Sequence, residues 1–290
     1  MLPKSIEKLF AAALAIESES AVERNDVGFT ARCMVLATLP HSKPVGKEFQ
    51  RKNGNYLLTI YSPHGLPYGV IPRLILCWLT TEAVRTKSRT LTLGNSLPEF
   101  MRAVGIDYAT SGKTGSRTRM REQIKKLFSC HISCCYNDQE QDAYLPIPLV
   151  SKAKIWWTPK EPDQPGLFES TLTLSEEFFQ EITQAPVPID VTVLKSLKRS
   201  PLAIDLYLWL TYRTFSVKQA TRPISWEELQ LQFGSEYSRD HDFKEAFTDA
   251  LRKVQLVYPG ANVTIVPRGI ILLPGQTSIP KIRGKRLLLE

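Results

Sequence analysis

Residues whose types could do chemistry gather at two places in the chain. The loop Thr110-Ser-Gly-Lys-Thr-Gly-Ser116 contains Gly112-Lys113-Thr114, the closing residues of a nucleotide-cradling P-loop. That motif needs a glycine five residues before Gly112 and a strand leading into it. The chain has Asp107 there, after a helical pattern, so nucleotide binding is rejected. A basic turn feeding a helix N-terminus still makes a phosphate clamp, because free N–H groups and Lys113 point the same way. The second place is Cys130-His131 with Cys134 and Cys135. On a strand, Cys130 and Cys134 share one face and His131 and Cys135 the other, and no second cluster with metal spacing occurs. The histidines His41, His64, His131 and His241 are too scattered for the His-x-His pair of a metal-dependent nicking enzyme. The sequence predicts no catalytic residue, no metal and no cofactor.

What remains is charge and its placement. The 290 residues carry a net charge of +8, with 43% hydrophobic and 23% charged residues, and a pI near 9.2. This composition excludes global disorder and points to an anionic partner. From Arg73 to Lys126 there are eleven basic residues against four acidic ones, a surplus of seven that accounts for nearly the whole net charge. Five cysteines, an odd number in a chain long enough to need no staples, read as reduced cytosolic thiols. No apolar run approaches the roughly 20 residues of a membrane span. The expectation is a soluble, cytoplasmic protein without a membrane partner.

The elements that must position the charge follow from periodicity. Residues 3–18 read as an amphipathic helix, despite Lys4 and Lys8 before the apolar run Leu9–Ile16, because Glu7, Glu17 and Glu19 interrupt a signal-peptide pattern. Phe29–Leu39 and Tyr56–Ser62 read as strands, with a hairpin turn at Asn53-Gly54-Asn55. An apolar helix follows Pro72. A second helix is capped by Asn95 or Ser96 and carries Leu97, Phe100, Met101 and Val104 at i, i+3, i+4, i+7. A third, Thr118–Phe128, puts Met120, Ile124, Leu127 and Phe128 on one face, with Thr118 and Glu122 opposite and Arg119, Lys126, Arg121 and Lys125 flanking. Flanking cations suit phosphates and central polar groups suit base edges. The strands Ser129–Cys135 and Ala143–Trp157 read as the wing of a winged helix, with an acidic tip at Asp138, Glu140 and Asp142.

The order then recurs. Pro201–Phe215 is apolar and contains Trp209-Leu210-Thr211, as the first helix contains Trp78-Leu79-Thr80. Ser225-Trp-Glu-Glu228 is a capping box ahead of Leu229, Leu231 and Phe233, closed by Gly234. A helix over Arg239–Val254 buries Phe243, Phe247, Ala250, Leu251 and Val254, and a hairpin turns through Pro267-Arg268-Gly269.

The expected fold is α+β, two tandem winged-helix domains with an N-terminal helical arm. The boundaries are 1–26 for the arm, 27–165 and 166–275 for the domains, and 276–290 for a mobile basic tail containing Lys281, Arg283, Lys285 and Arg286. Expected DNA contacts in the first domain are Arg85, Lys87, Arg89, Lys113, Arg117, Thr118, Arg119, Arg121, Glu122, Lys125 and Lys126. Those in the second are Ser238, Arg239, His241, Lys244, Glu245, Thr248, Arg252 and Arg268.

Several motifs together resemble the RepA family of plasmid replication initiators. They are Phe29-Thr-Ala-Arg-Cys-Met34, Gly65-Leu-Pro-Tyr68, Pro72-Arg73 through Trp78-Leu-Thr-Thr-Glu-Ala-Val-Arg-Thr86, Leu93-Gly-Asn-Ser-Leu-Pro-Glu-Phe100 and Arg121-Glu-Gln-Ile-Lys-Lys-Leu-Phe128. In the second half, Asp205-Leu-Tyr-Leu-Trp-Leu-Thr-Tyr-Arg213 and Ile224-Ser-Trp-Glu-Glu-Leu229 are similar to that family. The resemblance implies winged-helix domains that bind repeated sequences, iterons, in double-stranded plasmid origin DNA. It also implies recruitment of host replication initiator and helicase proteins, and a homodimer in equilibrium with monomer. A winged-helix transcriptional regulator or autorepressor is the alternative that the residues leave open.

Overall fold

Two apolar helices carry the fold. The computed structural model describes residues 4–36, 38–107, 110, 112–137, 142–157, 168–234 and 236–280, with backbone alone at 4–6, 134–137 and 142–147. Helix α3 (Val70–Thr86) buries Pro72 to Cys77 without a break, and α8 (Pro201–Ser216) buries Leu202 to Thr211. Apolar all round, such helices belong in an interior rather than on a surface. The Ser200 hydroxyl caps α8 by accepting from Ala203 N, with Pro201 at its first position, where a missing N–H costs nothing.

Each central helix starts the same sequence of elements. After α3 come β4 (Thr90–Gly94), α4 (Leu97–Ala103) and α5 (Ser116–Phe128). After α8 come β10 (Ile224–Ser225), α9 (Trp226–Phe233) and α10 (Asp240–Val257), then the hairpin β11 (Val263–Val266) and β12 (Gly269–Leu272). The side-chain packing repeats too. Trp78 meets Phe100 of α4 edge-on at 5.1 Å between ring centroids, and Trp209 meets Phe233 of α9 edge-on at 5.4 Å. Caps set the starts of both second helices: Ser96 accepts from Glu99 N, and Ser225 with Glu228 forms a complete capping box.

The strands revise the expected wing. In the second half the sheet order is β10-β12-β11, so the strand after the central helix pairs with the returning strand of the hairpin. The matching order in the first half is β4-β8-β7, built from β7 (Val150–Lys154) and β8 (Ser170–Leu174). The hairpin directly after α5, β5 (His131–Asn137) and β6 (Asp142–Pro148), forms as expected but joins β2 (Glu48–Asn53) and β3 (Tyr56–Tyr61) in the sheet β2-β3-β5-β6. Its six-residue register with β3 (Tyr56↔Tyr136 to Tyr61↔His131) commits one edge of β5 to that sheet. The first-half counterpart of the β11–β12 wing is therefore the β7–β8 hairpin. The expected break at 165/166 falls inside the connection between these paired strands.

Other segments also differ from expectation. Phe29–Leu39 is not one strand but β1 (Val27–Thr30) followed by α2 (Arg32–Leu36), and β1 pairs with β9 (Val187–Asp190) from the other half of the chain. The partner of β3 across the Gly54 turn is β2. Helix α1 (Lys4–Ser18) packs against α10 and α7 (Val191–Ser196), and α6 (Glu176–Gln184) packs against α3. The start of the tail is docked rather than free: Tyr258 donates to the Gln276 carbonyl at 2.8 Å, and Ile279 is buried beside Ala21, Val27 and Phe29. From residue 281 the basic tail lies outside the described residues, as do Asp138 and Glu140. One hydrophobic cluster runs through both halves.

Candidate nucleic-acid interface

Helix α5 is amphipathic for a simple reason. Met120, Gln123, Ile124, Lys126 and Leu127 turn inward, while Thr118, Arg119, Glu122 and Lys125 are exposed. Gly115 offers no side-chain cap, and Thr110 takes its place: the first backbone donors of α5 are used within the protein, Arg117 N donating to the Thr110 carbonyl at 3.2 Å, so they are not the open donors of the expected phosphate clamp. The preceding loop is closed onto the helix. Thr110 N donates to the Ser116 hydroxyl at 2.9 Å, Ser116 N donates to the Thr110 hydroxyl at 2.9 Å, and the Thr118 hydroxyl donates to the Gly112 carbonyl at 2.7 Å. Lys113 stands exposed on this loop.

Not every expected cation faces solvent. Lys126 is only 7% exposed; its ammonium lies 2.7 Å from the Glu122 carboxylate and 4.9 Å from the centre of the Tyr68 ring. Burial and these two partners remove it from the surface set. Half-buried Arg89 joins the end of β8 to the start of α6, with Glu176 at 2.6 Å and the Leu174 carbonyl at 3.0 Å. Arg85 is exposed although it donates to the Val27 carbonyl at 2.8 Å, and Lys87 is exposed at the left-handed end of α3, with φ 53°. Arg117 and Arg121 are half-buried.

Helix α10 buries the expected face, Phe243, Phe247, Ala250, Leu251 and Val254, together with Val257. Along the other side run His241, Glu245, Thr248 and Arg252, at i, i+4, i+7 and i+11, exposed except for half-buried Thr248. Ser238 and Arg239 are exposed ahead of it, and Arg239 pairs with Asp242 at 2.8 Å. Lys244 is half-buried with its ammonium 5.9 Å from the centre of the Trp226 ring. At the tip of β11–β12, Arg268 is exposed while its carbonyl accepts from Trp226 N at 3.1 Å. Gly269 makes that turn possible, since a Cβ there would lie 1.8 Å from the Ile224 carbonyl.

Sequence reasoning missed the first-half wing. Lys152 and Lys154 are exposed on β7, and beyond them Trp156 and Phe168 are exposed with ring centroids 5.2 Å apart. The neighbouring Trp157 is instead buried, stacked on Phe100 at 5.4 Å and donating to the Gly94 carbonyl. The alternation over Ala143–Trp157 does signal strand here, but nothing local shows that Val150–Lys154 pairs with β8 rather than continuing the hairpin after α5.

The Cys130 thiol is buried, which pushes it up to about 12, and it donates to the Leu127 carbonyl. Among the described residues no cluster of three metal-ligating side chains occurs, and no helix is long and apolar enough to cross a membrane.

These elements define an α+β protein of helices and small antiparallel sheets, in which α5 and α10 each turn a polar face outward. The family model of plasmid encoded RepA protein matches residues 66–228, more than half of the chain, and the chain belongs to that family of plasmid replication proteins, whose members are generally non-enzymatic and bind DNA. Among solved structures, it is similar to domains 2 and 3 of RctB, with a TM-score of 0.53 at 12% identity, covering 84% of this chain and 96% of that one. At that identity the likeness concerns the fold. A comparison with curated proteins gave no significant match.

Proposed function

We propose that the chain is a plasmid replication initiator whose two winged-helix modules bind double-stranded origin DNA by sequence, at iterons, and that it recruits host replication proteins there. The observation that carries this reading is the repeat of helix, strand, capped helix, exposed helix and hairpin, with the same sheet order in both halves. Two such modules place two helices in successive major grooves about one helical turn apart. In the first module, Lys113, Arg119 and Lys125 hold phosphates, with Lys152 and Lys154 on the wing. In the second, His241, Glu245, Thr248 and Arg252 face base edges, where arginine pairs with guanine and a carboxylate accepts from cytosine N4, while Arg268 reaches the backbone or minor groove. Helix α1 packs against α10.

A nuclease footprint on the parent plasmid's origin, followed by affinity measured against salt, tests the reading. Protection of repeated sites and a steep fall of affinity with salt are expected. Weak, flat binding with no preference over random duplex contradicts it.

A further inference from the structure

Between the halves lies a group of buried charges. Arg73 of α3 and Asp205 of α8 form a two-pronged pair, Nε to Oδ1 at 2.7 Å and Nη2 to Oδ2 at 2.7 Å, with side chains 3% and 4% exposed. The remaining guanidinium donors reach the carbonyls of Leu39 at 2.6 Å, Pro40 at 3.1 Å and Gly69 at 2.6 Å. All five N–H groups are thus satisfied, which fixes the plane of the guanidinium as well as its position. On the other side of Asp205, His41 Nε2 lies 2.8 Å from Oδ2, and His41 N donates to the Glu236 carboxylate at 3.1 Å. Glu236 stands in the turn between α9 and α10, and the fully buried Arg51 also reaches it, at 3.4 Å.

The contacts continue to the other exposed helix. Gly69, which accepts from Arg73, follows Tyr68, whose N–H donates to Gln123 Oε1 of α5 at 2.9 Å. A chain of directed polar contacts therefore runs from α5 through Tyr68–Gly69, Arg73, Asp205 and His41 to the turn that launches α10. A buried ion pair is a poor source of stability compared with apolar packing of the same volume. Its strength is direction, since one geometry satisfies every donor and neighbouring geometries leave charges unpaired.

We propose that Arg73 and Asp205 are positioning residues that hold α5 and α10 at one fixed separation and angle, so that the protein selects the spacing between the two halves of its DNA site. This rests on the two-module reading above, and the test separates the two ideas. Spin labels placed by non-cysteine chemistry at the exposed positions Arg119 and Glu245 report the α5–α10 distance in the full chain without DNA. The double variant R73M/D205L replaces the pair with apolar side chains, and H41A/E236Q loosens the more exposed end if the first variant does not fold. A narrow distance distribution is expected in the parent, broadened and shifted in either variant that retains a cooperative melting transition. An unchanged distribution in a folded variant overturns the proposal, whatever the DNA behaviour.

The second arm uses a duplex enriched by the parent protein from a randomised library, with or without about five base pairs, half a turn, inserted between the two protected segments. The parent should lose about 100-fold in affinity on insertion, as simultaneous engagement fails, and the variants should lose less than about tenfold because a loosened linkage still reaches both segments. Equal insertion penalties in parent and variants also overturn the proposal. Failure to enrich any duplex contradicts the DNA-reading function, while the distance measurement still decides the role of Arg73 and Asp205.

Discussion

Helices α5 and α10 occupy the same place in the repeat and differ in what they offer a charged ligand. The exposed side of α5 carries Arg119 and Lys125 behind the basic loop with Lys113, whereas α10 alternates signs, with Asp240, Glu245 and Asp249 against Arg252 and Lys253. One of those cations is neutralised locally, Lys253 by Asp249 at 2.6 Å. The approaches differ as well. The α4–α5 connection is long, and its Thr110 closes onto the start of α5, while the α9–α10 turn is short and tied to the first half through Glu236. A surface made of like charges attracts any phosphate backbone and carries little sequence information. Mixed donors and acceptors on a rigidly placed helix discriminate between base edges but gain little from charge alone. On the function proposed above, the first half would grip the backbone and the second would read the bases.

The largest effect expected from breaking this arrangement is at the junction on which both halves depend. Asp205→Ala strands Arg73 and should cost about 3–5 kcal/mol in denaturant unfolding. Acid should act on the same cluster. Burial pushes the Asp205 carboxyl up, but Arg73 and His41 outweigh it and hold the group below its ordinary value. Burial, with Arg73 adding to it, holds His41 below the usual imidazole value against the pull of Asp205 and Glu236. Both folded values lie below the unfolded ones, about 6.5 for histidine and 3.9 for aspartate. Each contribution is therefore complete above its unfolded value and lost as pH falls through the folded one. Unfolding free energy should decline as pH drops below about 6.5, and His41→Gln should remove that upper part of the decline while leaving the carboxylate part below about 3.9.

The next effect separates two glycines that hold equivalent places after the second helices. A Cβ on Gly234 would lie 2.2 Å from the Phe243 ring, which is buried in the core, whereas on Gly105 it would meet the flexible Lys195 side chain at 2.9 Å, at a φ of +86°. Gly234→Ala should cost about 2–3 kcal/mol through overpacking. Gly105→Ala should cost about 1–2 kcal/mol, mainly from the left-handed backbone. Thermal melts of the two variants compare them directly, and a larger loss at Gly105 would show that the α4–α5 turn is the stiffer one.

The smallest effect lies within α5. Lys125→Met should reduce the slope of log affinity against log salt by about 0.9, one phosphate contact. Lys126→Met should leave the slope unchanged, because Lys126 is enclosed by Glu122 and Tyr68. Equal changes for the two lysines would place Lys126 at the DNA after all.

Local signals in the sequence were reliable because local physics produces them. The Ser225–Glu228 capping box, the Ser96 cap, the apolar faces of α5 and α10 and the two-residue turn at Pro267–Arg268 all depend on neighbours within a few residues. Pairing between distant strands does not. Nothing within His131–Asn137 reveals that β5 lies against β3, so by sequence alone the hairpin after α5 reads as the wing and β7–β8 does not. Charge counting failed for a related reason. Arg73 and Lys126 were included in the basic surplus, yet each is buried by partners that the helical wheel cannot contain: Asp205, 132 residues away along the chain, and Tyr68 from the loop before α3. Family resemblance supplied what periodicity could not, the link to plasmid replication.

The division between grip and reading is tested most directly by one binding experiment on a duplex protected in the origin footprint and on a scrambled duplex of equal length, across a salt series. The double variant R119A/K125A should lose affinity for both duplexes alike and flatten the salt slope by about 2. Arg252→Ala should lose about 1–3 kcal/mol on the protected duplex and little on the scrambled one. Equal loss of preference in both variants would contradict the account.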